Sequence, residues 1–434
     1  MSADVDLTAH DLAVLHGEDG PAAAMAMRVV VGLARVLQAP RLLSVASAHV
    51  DGCLYHGRAG VDFAERLRDL GGAVAVPTTL NVGSLDLLHP ALVRMEGEER
   101  EMARRLMDAH TALGASPTWT CAPYQLGHRP ERGQDVAWAE SNAIVFANSV
   151  LGARTDRYGD FLDICAAITG RAPFAGLHVP ANRFAQVVLD CAPVAHLLGH
   201  DAAWAALGHL VGRTCGTRVP VLTGVEDPAP EEDQLKALGA AAASSGGVAL
   251  FHVVGVTPEA RTLDAALGAG RPGGRAAAGL PAADVQTVTP QRLRASRDEL
   301  TTAAPGEGLD AVSLGTPHFS TTEFERLAAL LADGPPVAEG VRFWVSTSRA
   351  VLARARERGS AAVCERAGVT VLTDTCTYVT PVLGAGVRSV MTTSGKWAWY
   401  APGNLGVSVV FGSLDECVAS ARAGEVVRDE RLWS

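Results

Sequence analysis

Lysine is almost missing from this chain: only Lys236 and Lys396 stand against 35 arginines. The base composition of a GC-rich genome accounts for such a bias, and it makes the two remaining lysines positions to follow. Also missing is any CxxC pair among the eight cysteines, Cys53, Cys121, Cys165, Cys191, Cys215, Cys364, Cys376 and Cys417. That sets aside zinc ribbons and thioredoxin-like sites. No apolar run reaches the roughly 20 residues that a membrane span needs. The most apolar early stretch, "AAAMAMRVVVGLARVL", is interrupted by Arg28 and Arg35. There is no long basic run and the formal charge is −10, so the electrostatic footprint of a nucleic-acid binder is lacking. The opening "MSADVDLTAHDL" is acidic and has neither the basic start nor the apolar centre of a signal peptide. The expectation is a cytoplasmic chain with reduced thiols, without nucleic-acid or membrane partners. No repeat of fixed period and no GxSxG elbow occur.

What is present suffices for a core. Of the 434 residues, 48% are hydrophobic, which excludes a disordered chain and allows two or three domains or one large α/β unit. "DLTAHDLAVLHG" reads as a helix stopped by Gly17, and "GPAAAMAMRVVVGLARVLQA" as a second with Pro21 in its first turn. "RLLSVASAHV" reads as a strand. "VDFAERLRDLGG" then sets Phe63, Ala64, Leu67 and Leu70 on one helical face, and "AVAVPTTLN" is another strand. Such a β-α-β unit implies a parallel sheet. The pattern recurs in "GLDAVSLGTPHFS", "VRFWVSTSRA", "GVTVLTDTC" and "GVRSVMTTSGKW", and "ASPTWTCAPY" ends an apolar approach at Cys121. Each time the chemically capable residues follow the apolar run. Ligands of parallel α/β sheets bind beyond the carboxyl ends of the strands, so these turns are the expected site. "GAGRPGGRAAAGLPAAD" (268–284) and "GVEDPAPEED" (224–233) read as connections.

Three motifs are set aside. Gly268 to Gly273 spells GxGxxG but follows a helix-like segment and opens none, which is the wrong setting for a dinucleotide. His196 and His200 in "HLLGH" lack the glutamate of a zinc protease helix. "TTSGKW" has Trp397 where a phosphate loop needs Ser or Thr.

Seven blocks, in order over roughly residues 6–425, carry a resemblance: "SAHVDGCLYHGRAGVDFAERL", "VPTTLNVGSLD", "TCAPYQ", "AWAESNAIVFANSVLGARTDRYGD", "SLGTPHFS", "LTDTC" and "KWAWYAPGNLGVSVVFGSLDECV". The chain resembles the large, catalytic portion of the aconitase X family. That resemblance implies an aconitase-like α/β catalytic unit of several parallel-sheet subdomains over 1–434, without the small swivel domain. A tentative division is an N-terminal α/β portion (1–223), a connecting region (224–284) and a C-terminal α/β portion (285–434). A separate small swivel-domain subunit is the implied partner. The family performs dehydrations with an iron–sulfur cluster, on cis-3-hydroxy-L-proline or, in archaeal members, on mevalonate 5-phosphate. The chemistry is sound. Hydroxide is a poor leaving group, an iron with an open position acts on it as a Lewis acid, and a base removes the proton beside the carboxylate.

Cysteine thiolates hold such clusters, and Cys121 and Cys376 match the family's motifs. Phosphomevalonate-type members look like "GCPH" where this chain has Gly315-Thr316-Pro317-His318. Either the cluster differs or another cysteine serves, and Cys53 is the obvious substitute. Three ligands in an altered arrangement suit a smaller cluster, so [2Fe–2S] is favoured over [3Fe–4S] or [4Fe–4S]. Lys396 and His318 are the acid–base candidates. Ser47, His49, Thr78, Thr79, Asn81 and Ser346 are the candidates for holding a hydroxy acid, against turn bonding and capping. Glu140, Ser141 and Asn142 form a polar cluster in apolar surroundings, with structural satisfaction as the competing account. The "HVDGCLYHG" and "GTPHFS" blocks look like the hydroxyproline branch. The mevalonate 5-phosphate activity is the alternative, and a scaffold without a cluster is a third reading, favoured only by Thr316.

Overall fold

Short capped helices and short buried strands alternate along the chain. The computed structural model describes residues 5–127, 129–227, 229–304 and 306–434. They form two compact units. One comprises residues 1–85 and 95–184, and the other 86–94 and 185–434.

In the first unit, α1 (Ala9–His16) begins at a capping box. Asp11 N donates to Thr8 Oγ1 at 3.1 Å, and Thr8 N donates to the Asp11 carboxylate at 3.0 Å. Gly17, in the left-handed region at φ 96°, ends the helix. α2 (Pro21–Val36) follows with its proline at the first position. The segment expected as one strand splits in two. β1 (Leu42–Ser44) pairs antiparallel with a late strand, while β2 (Ala48–Val50) enters a parallel sheet. Between them the backbone changes partners: Val45 N donates to Gly170 O at 3.0 Å and Ala46 N to Asp135 O at 2.9 Å. α3 (Arg58–Asp69) buries Val61, Ala64 and Leu67, with Val61 and Ala64 packed with Met102 and Leu106 of α4 (Gly97–Ala112); of the expected face, Ala64 and Leu67 are buried while Phe63 and Leu70 are half-buried. β3 (Thr78–Leu80) and β4 (Ala137–Trp138) flank β2, both parallel to it. α5 (Ser141–Phe146), α6 (Leu162–Thr169) and β5 (Arg171–Pro173), the partner of β1, complete the unit.

The second unit holds two wholly parallel sheets. One has the order β8-β7-β6-β9, from β6 (Val187–Asp190), β7 (Pro220–Thr223), β8 (His252–Val253) and β9 (Val285–Thr287). With it go α7 (Asp201–Cys215), α8 (Glu232–Ser245), α9 (Leu263–Leu267) and α10 (Pro290–Glu299). The other has the order β12-β11-β10-β13-β14: β10 (Ala311–Phe319), β11 (Arg342–Thr347), β12 (Val369–Thr373), β13 (Ser389–Thr392) and β14 (Ser408–Phe411). Its helices are α11 (Thr321–Ala332), α12 (Arg349–Glu357), α13 (Ser360–Arg366), α14 (Gly395–Leu405) and α15 (Leu414–Ala423). All nine residues of β10 are buried, as expected of a central parallel strand covered on both faces.

A serine follows four of these five strands and caps the next helix. Ser320, Ser348, Ser394 and Ser413 each accept a backbone N–H of the first turn. Part of the polar text after the strands is therefore helix-starting machinery. The mixed α/β class with several parallel sheets is as the sequence led us to expect.

Candidate functional site

Each unit carries a polar cluster at the carboxyl ends of a parallel sheet. In the first, the central strand β2 supplies His49 and leads into Asp51. The fully buried His49 ring bonds through Nδ1 to Thr79 Oγ1 at 2.8 Å. Burial pushes its pKa down to about 4, against a smaller upward pull from Glu140. Its Nε2 meets no partner. Asn81, just past β3, donates through Nδ2 to Asp51 Oδ1, and its own Oδ1 is buried without a partner. Burial, then Glu140, Asp160 and Asp163, push Asp51 up to about 7.

The turn after β2 is held from below by Asp163 in the first turn of α6. Asp163 accepts from the backbone N–H groups of Asp51 (2.7 Å), Gly52 (3.1 Å) and Ile164 (2.7 Å). Burial outweighs those bonds and raises its carboxyl to about 6. Glu140, two residues past β4, caps α5 by accepting from Ala143 N at 2.8 Å. It does so at φ 72°, a left-handed conformation that a non-glycine residue adopts only under constraint.

Other candidates of this unit are differently placed. Ser47 lies at the amino end of β2, not its carboxyl end, and its hydroxyl accepts from Trp138 Nε1 at 3.2 Å. Thr78 opens β3 and donates to Val76 O at 2.8 Å. Cys53 is fully buried, with its sulfur 3.4 Å from Asn81 O, 3.5 Å from Val50 O and 3.7 Å from Val82 O. Burial, with Asp51 and Asp163 nearby, drives its thiol well above the usual range. Cys121 is buried in an irregular turn rather than at the end of a strand, with its carbonyl accepting from Asn142 Nδ2 at 2.8 Å. The adjoining Thr120 N donates to Leu80 O at 3.1 Å, which ties that turn to β3.

In the second unit, the end of β10 makes the corresponding cluster. Gly315 sits at φ 85° and is packed so close to β11 that a Cβ would run into the Ser346 carbonyl. Only glycine meets both demands. The ladder with β11 breaks between Leu314 and Phe319. Thr316 is buried with its Oγ1 unpartnered, and so is the Ser346 hydroxyl. Ser394 Oγ donates to Thr316 O, joining the β10 turn to the start of α14. His318 is fully buried, its Nε2 3.2 Å from Thr375 O. Cys376 is buried just past β12. The neighbouring Asp374, at φ 63°, accepts from Arg349 Nε at 2.7 Å and Leu87 N at 3.0 Å.

A cavity of about 470 Å³ opens beside this turn, lined among others by Thr316, Ser394, Glu323, Arg326 and both lysines of the chain. Lys396 stands in the first turn of α14. Lys236, on α8, is 3% exposed and bridges Asp233 (2.9 Å) and Glu323. Its Nζ is also 3.5 Å from His318 O. Two carboxylates outweigh burial and hold that ammonium charged, while burial lifts the Glu323 carboxyl to about 7. His196 and His200 do not share a helix face: His196 is in a separate turn, and His200 caps α7.

Sequence reasoning marked Glu140 only as part of a polar cluster and gave no role to Asp163, Glu323 or Gly315. Of the last three only Gly315 carried a local signal, a glycine inside a strand pattern. Among the described residues, no three His, Cys, Asp or Glu side chains gather around a point where a metal ion would fit.

Comparison with known proteins adds what geometry leaves open. Residues 4–181, 185–293 and 309–423 match the profiles of the aconitase X first, second and third domains. The chain belongs to the aconitase X family. It is 42% identical over 426 residues to the cis-3-hydroxy-L-proline dehydratase of Hypocrea jecorina, covering 98% of this chain and 70% of that relative. Identity to the enzyme of the same name from Pseudomonas aeruginosa is also 42%, with 98% and 72% covered. A phosphomevalonate dehydratase large subunit from Methanothermobacter thermautotrophicus is 38% identical, with 91% and 93% covered. The crystal structure of Thermococcus kodakaraensis aconitase X in its holo-form superposes with a TM-score of 0.84 at 32% identity, covering 96% of this chain and all of that one.

As an aconitase X, the chain is implied to use an iron–sulfur cluster. Its buried turn cysteines Cys121 and Cys376 are donors of the right chemistry. Cys53 spends its S–H on backbone carbonyls, and Thr316 offers a hydroxyl. No described helix is long and apolar enough to cross a membrane.

Proposed function

We propose that this chain is the catalytic subunit of a hydro-lyase that dehydrates cis-3-hydroxy-L-proline. The carrying observation is 42% identity, across 98% of the chain, to two relatives bearing that activity in their names. The substrate loses its 3-hydroxyl and α-proton, and the enamine tautomerises to Δ1-pyrroline-2-carboxylate. We assign a small swivel-domain subunit as partner, in keeping with relatives named large subunits, and the cytoplasm as location.

Cys121 and Cys376 would hold the cluster, with Cys53 as third candidate and [2Fe–2S] as the favoured type. When bound, the cluster supplies Lewis acidity to the departing hydroxide. The remaining work falls to side chains. Lys396, on the cavity wall, is the proposed proton carrier, and His318, held against Thr375 O, is its proposed companion. His49, Asn81 and Ser346 each bring a buried polar atom without a protein partner. Such atoms are costly unless a ligand pairs them, which supports the substrate-holding role assigned to them. Thr79 orients His49, and Ser47 and Thr78 are the weaker members of that set because both hydroxyls already have partners.

The test is anaerobic co-expression with the small subunit and assay on both candidate substrates. Turnover of hydroxyproline alone is expected. Turnover of mevalonate 5-phosphate alone would replace the reading, and turnover of neither would remove it. Iron and sulfide analysis of Cys121→Ala and Cys376→Ala should show cluster loss, and full content in Cys53→Ala would strike Cys53 from the set.

A further inference from the structure

We infer that the strand-end cluster of the first unit, His49, Asp51, Asn81 and Glu140, is a seat for a ring ammonium, and so selects an amino acid over a phosphorylated hydroxy acid. The inference rests on the hydroxyproline reading and sharpens it to a chemical basis for substrate choice.

The first ground is hydrogen-bond polarity. The Asn81 amide spends its N–H on Asp51, which fixes the orientation of the group and leaves Oδ1 as a buried acceptor without a partner. In the His49 tautomer protonated at Nδ1, that hydrogen goes to Thr79 Oγ1 at 2.8 Å and the Thr79 hydroxyl turns to Ala48 O, 3.5 Å away. The unpartnered His49 Nε2 is then a bare lone pair. Both orphaned atoms are acceptors, and each belongs to a side chain more than nine-tenths buried.

The second ground is charge. Glu140 bears electrostatically on both His49 and Asp51, and the other charged groups that bear on Asp51 are the carboxylates Asp160 and Asp163. A dianionic phosphate meets like charge and unpaired acceptors there. A secondary ammonium brings one positive charge and two N–H donors, the complement of what the cluster lacks.

The third ground is backbone geometry. Glu140 is held at φ 72° two residues past β4, while the intervening Ala139 N donates to His49 O. That conformation turns the chain out of β4 and into α5, and leaves the carboxylate near enough to act electrostatically on His49 and Asp51.

The test is calorimetric titration of the holo complex with L-proline and with (S)-tetrahydrofuran-2-carboxylate, which replaces the ring nitrogen by oxygen. Wild type should prefer proline, and Glu140→Gln, which keeps an oxygen to cap α5, should weaken proline binding about 10-fold or more. The same substitution should leave the oxygen ring's affinity unchanged. Asn81→Ala serves as the second variant, with the same expected direction, if Glu140→Gln does not fold. Equal binding of the two rings by wild type would overturn the inference. So would an undiminished proline preference in the folded variants. Hydroxyproline turnover on the same preparation reports separately: turnover without the preference defeats the ammonium seat, and the preference without turnover defeats the dehydratase reading.

Discussion

His49 shows how one buried side chain couples the site to pH. Folded, it titrates near 4 because burial disfavours its charge, and the reference value is 6.5. Between those values the unfolded chain binds the extra proton, so stability rises with pH through that window and is lost on acidification. Full expression amounts to on the order of 3 kcal/mol. Asp163, raised to about 6, works the other way, losing stability as pH rises from about 4 to 6. The wild-type minus His49→Gln stability difference, followed by denaturant unfolding between pH 4 and 7, should therefore become more favourable to wild type as pH rises. A flat difference would rule out a buried neutral imidazole. At Gly315 the constraint is steric. Gly315→Ala should cost at least about 2 kcal/mol in the same measurement, because the left-handed backbone and the Ser346 carbonyl both exclude a methyl group. Polar residues beside apolar runs made His49, Asn81 and Ser346 visible in the sequence. Asp163 was invisible because the turn it holds, at Asp51 and Gly52, lies more than 100 positions away, and Glu140 showed only as a polar residue in apolar surroundings because its backbone conformation has no sequence mark.

At the scale of elements, helices were the more legible. The stop at Gly17 and the first-turn Pro21 are local signals, and they set the boundaries found. Strands were less so. β4 is two residues long and exists only because β2 offers it a ladder, and one apolar run became β1 and β2 because two different sheets claim its ends. The β10 turn depends on a more distant contact, the Lys236–Asp233–Glu323 bridge between α8 and α11. Removing one partner of a buried ion pair strands the others. Lys236→Met should thus destabilise by about 3–5 kcal/mol. The double variant Lys236→Met/Glu323→Leu should recover part of that loss in urea unfolding, and no recovery would mean that the pair does not act as a unit.

For the whole molecule, the parallel α/β class followed from the alternation of runs and helices. The assignment of residues 86–94 to the second unit did not, since it depends on bonds such as Thr373 N to Asp86 Oδ2 at 2.9 Å, 287 residues apart. All eight cysteines are buried, and the thiols of Cys165 and Cys417 are driven up by burial. The folded chain should therefore react with Ellman's reagent at far less than one equivalent in minutes, and at eight after denaturation. Rapid reaction of several thiols in the native state would contradict this burial.

The placement of both lysines on one cavity wall, 3% and 4% exposed, has a practical side. Apart from the α-amino group, the folded protein offers acylating reagents almost no amine to attack. Coupling to activated resins or dyes will be inefficient, and a lysine-specific protease will find no ready cut. By the same token, each acyl group that mass spectrometry counts on a side chain records an opening of that one cavity. Amine labelling over time thus becomes a clock for access to the place where Lys396 is proposed to carry its proton.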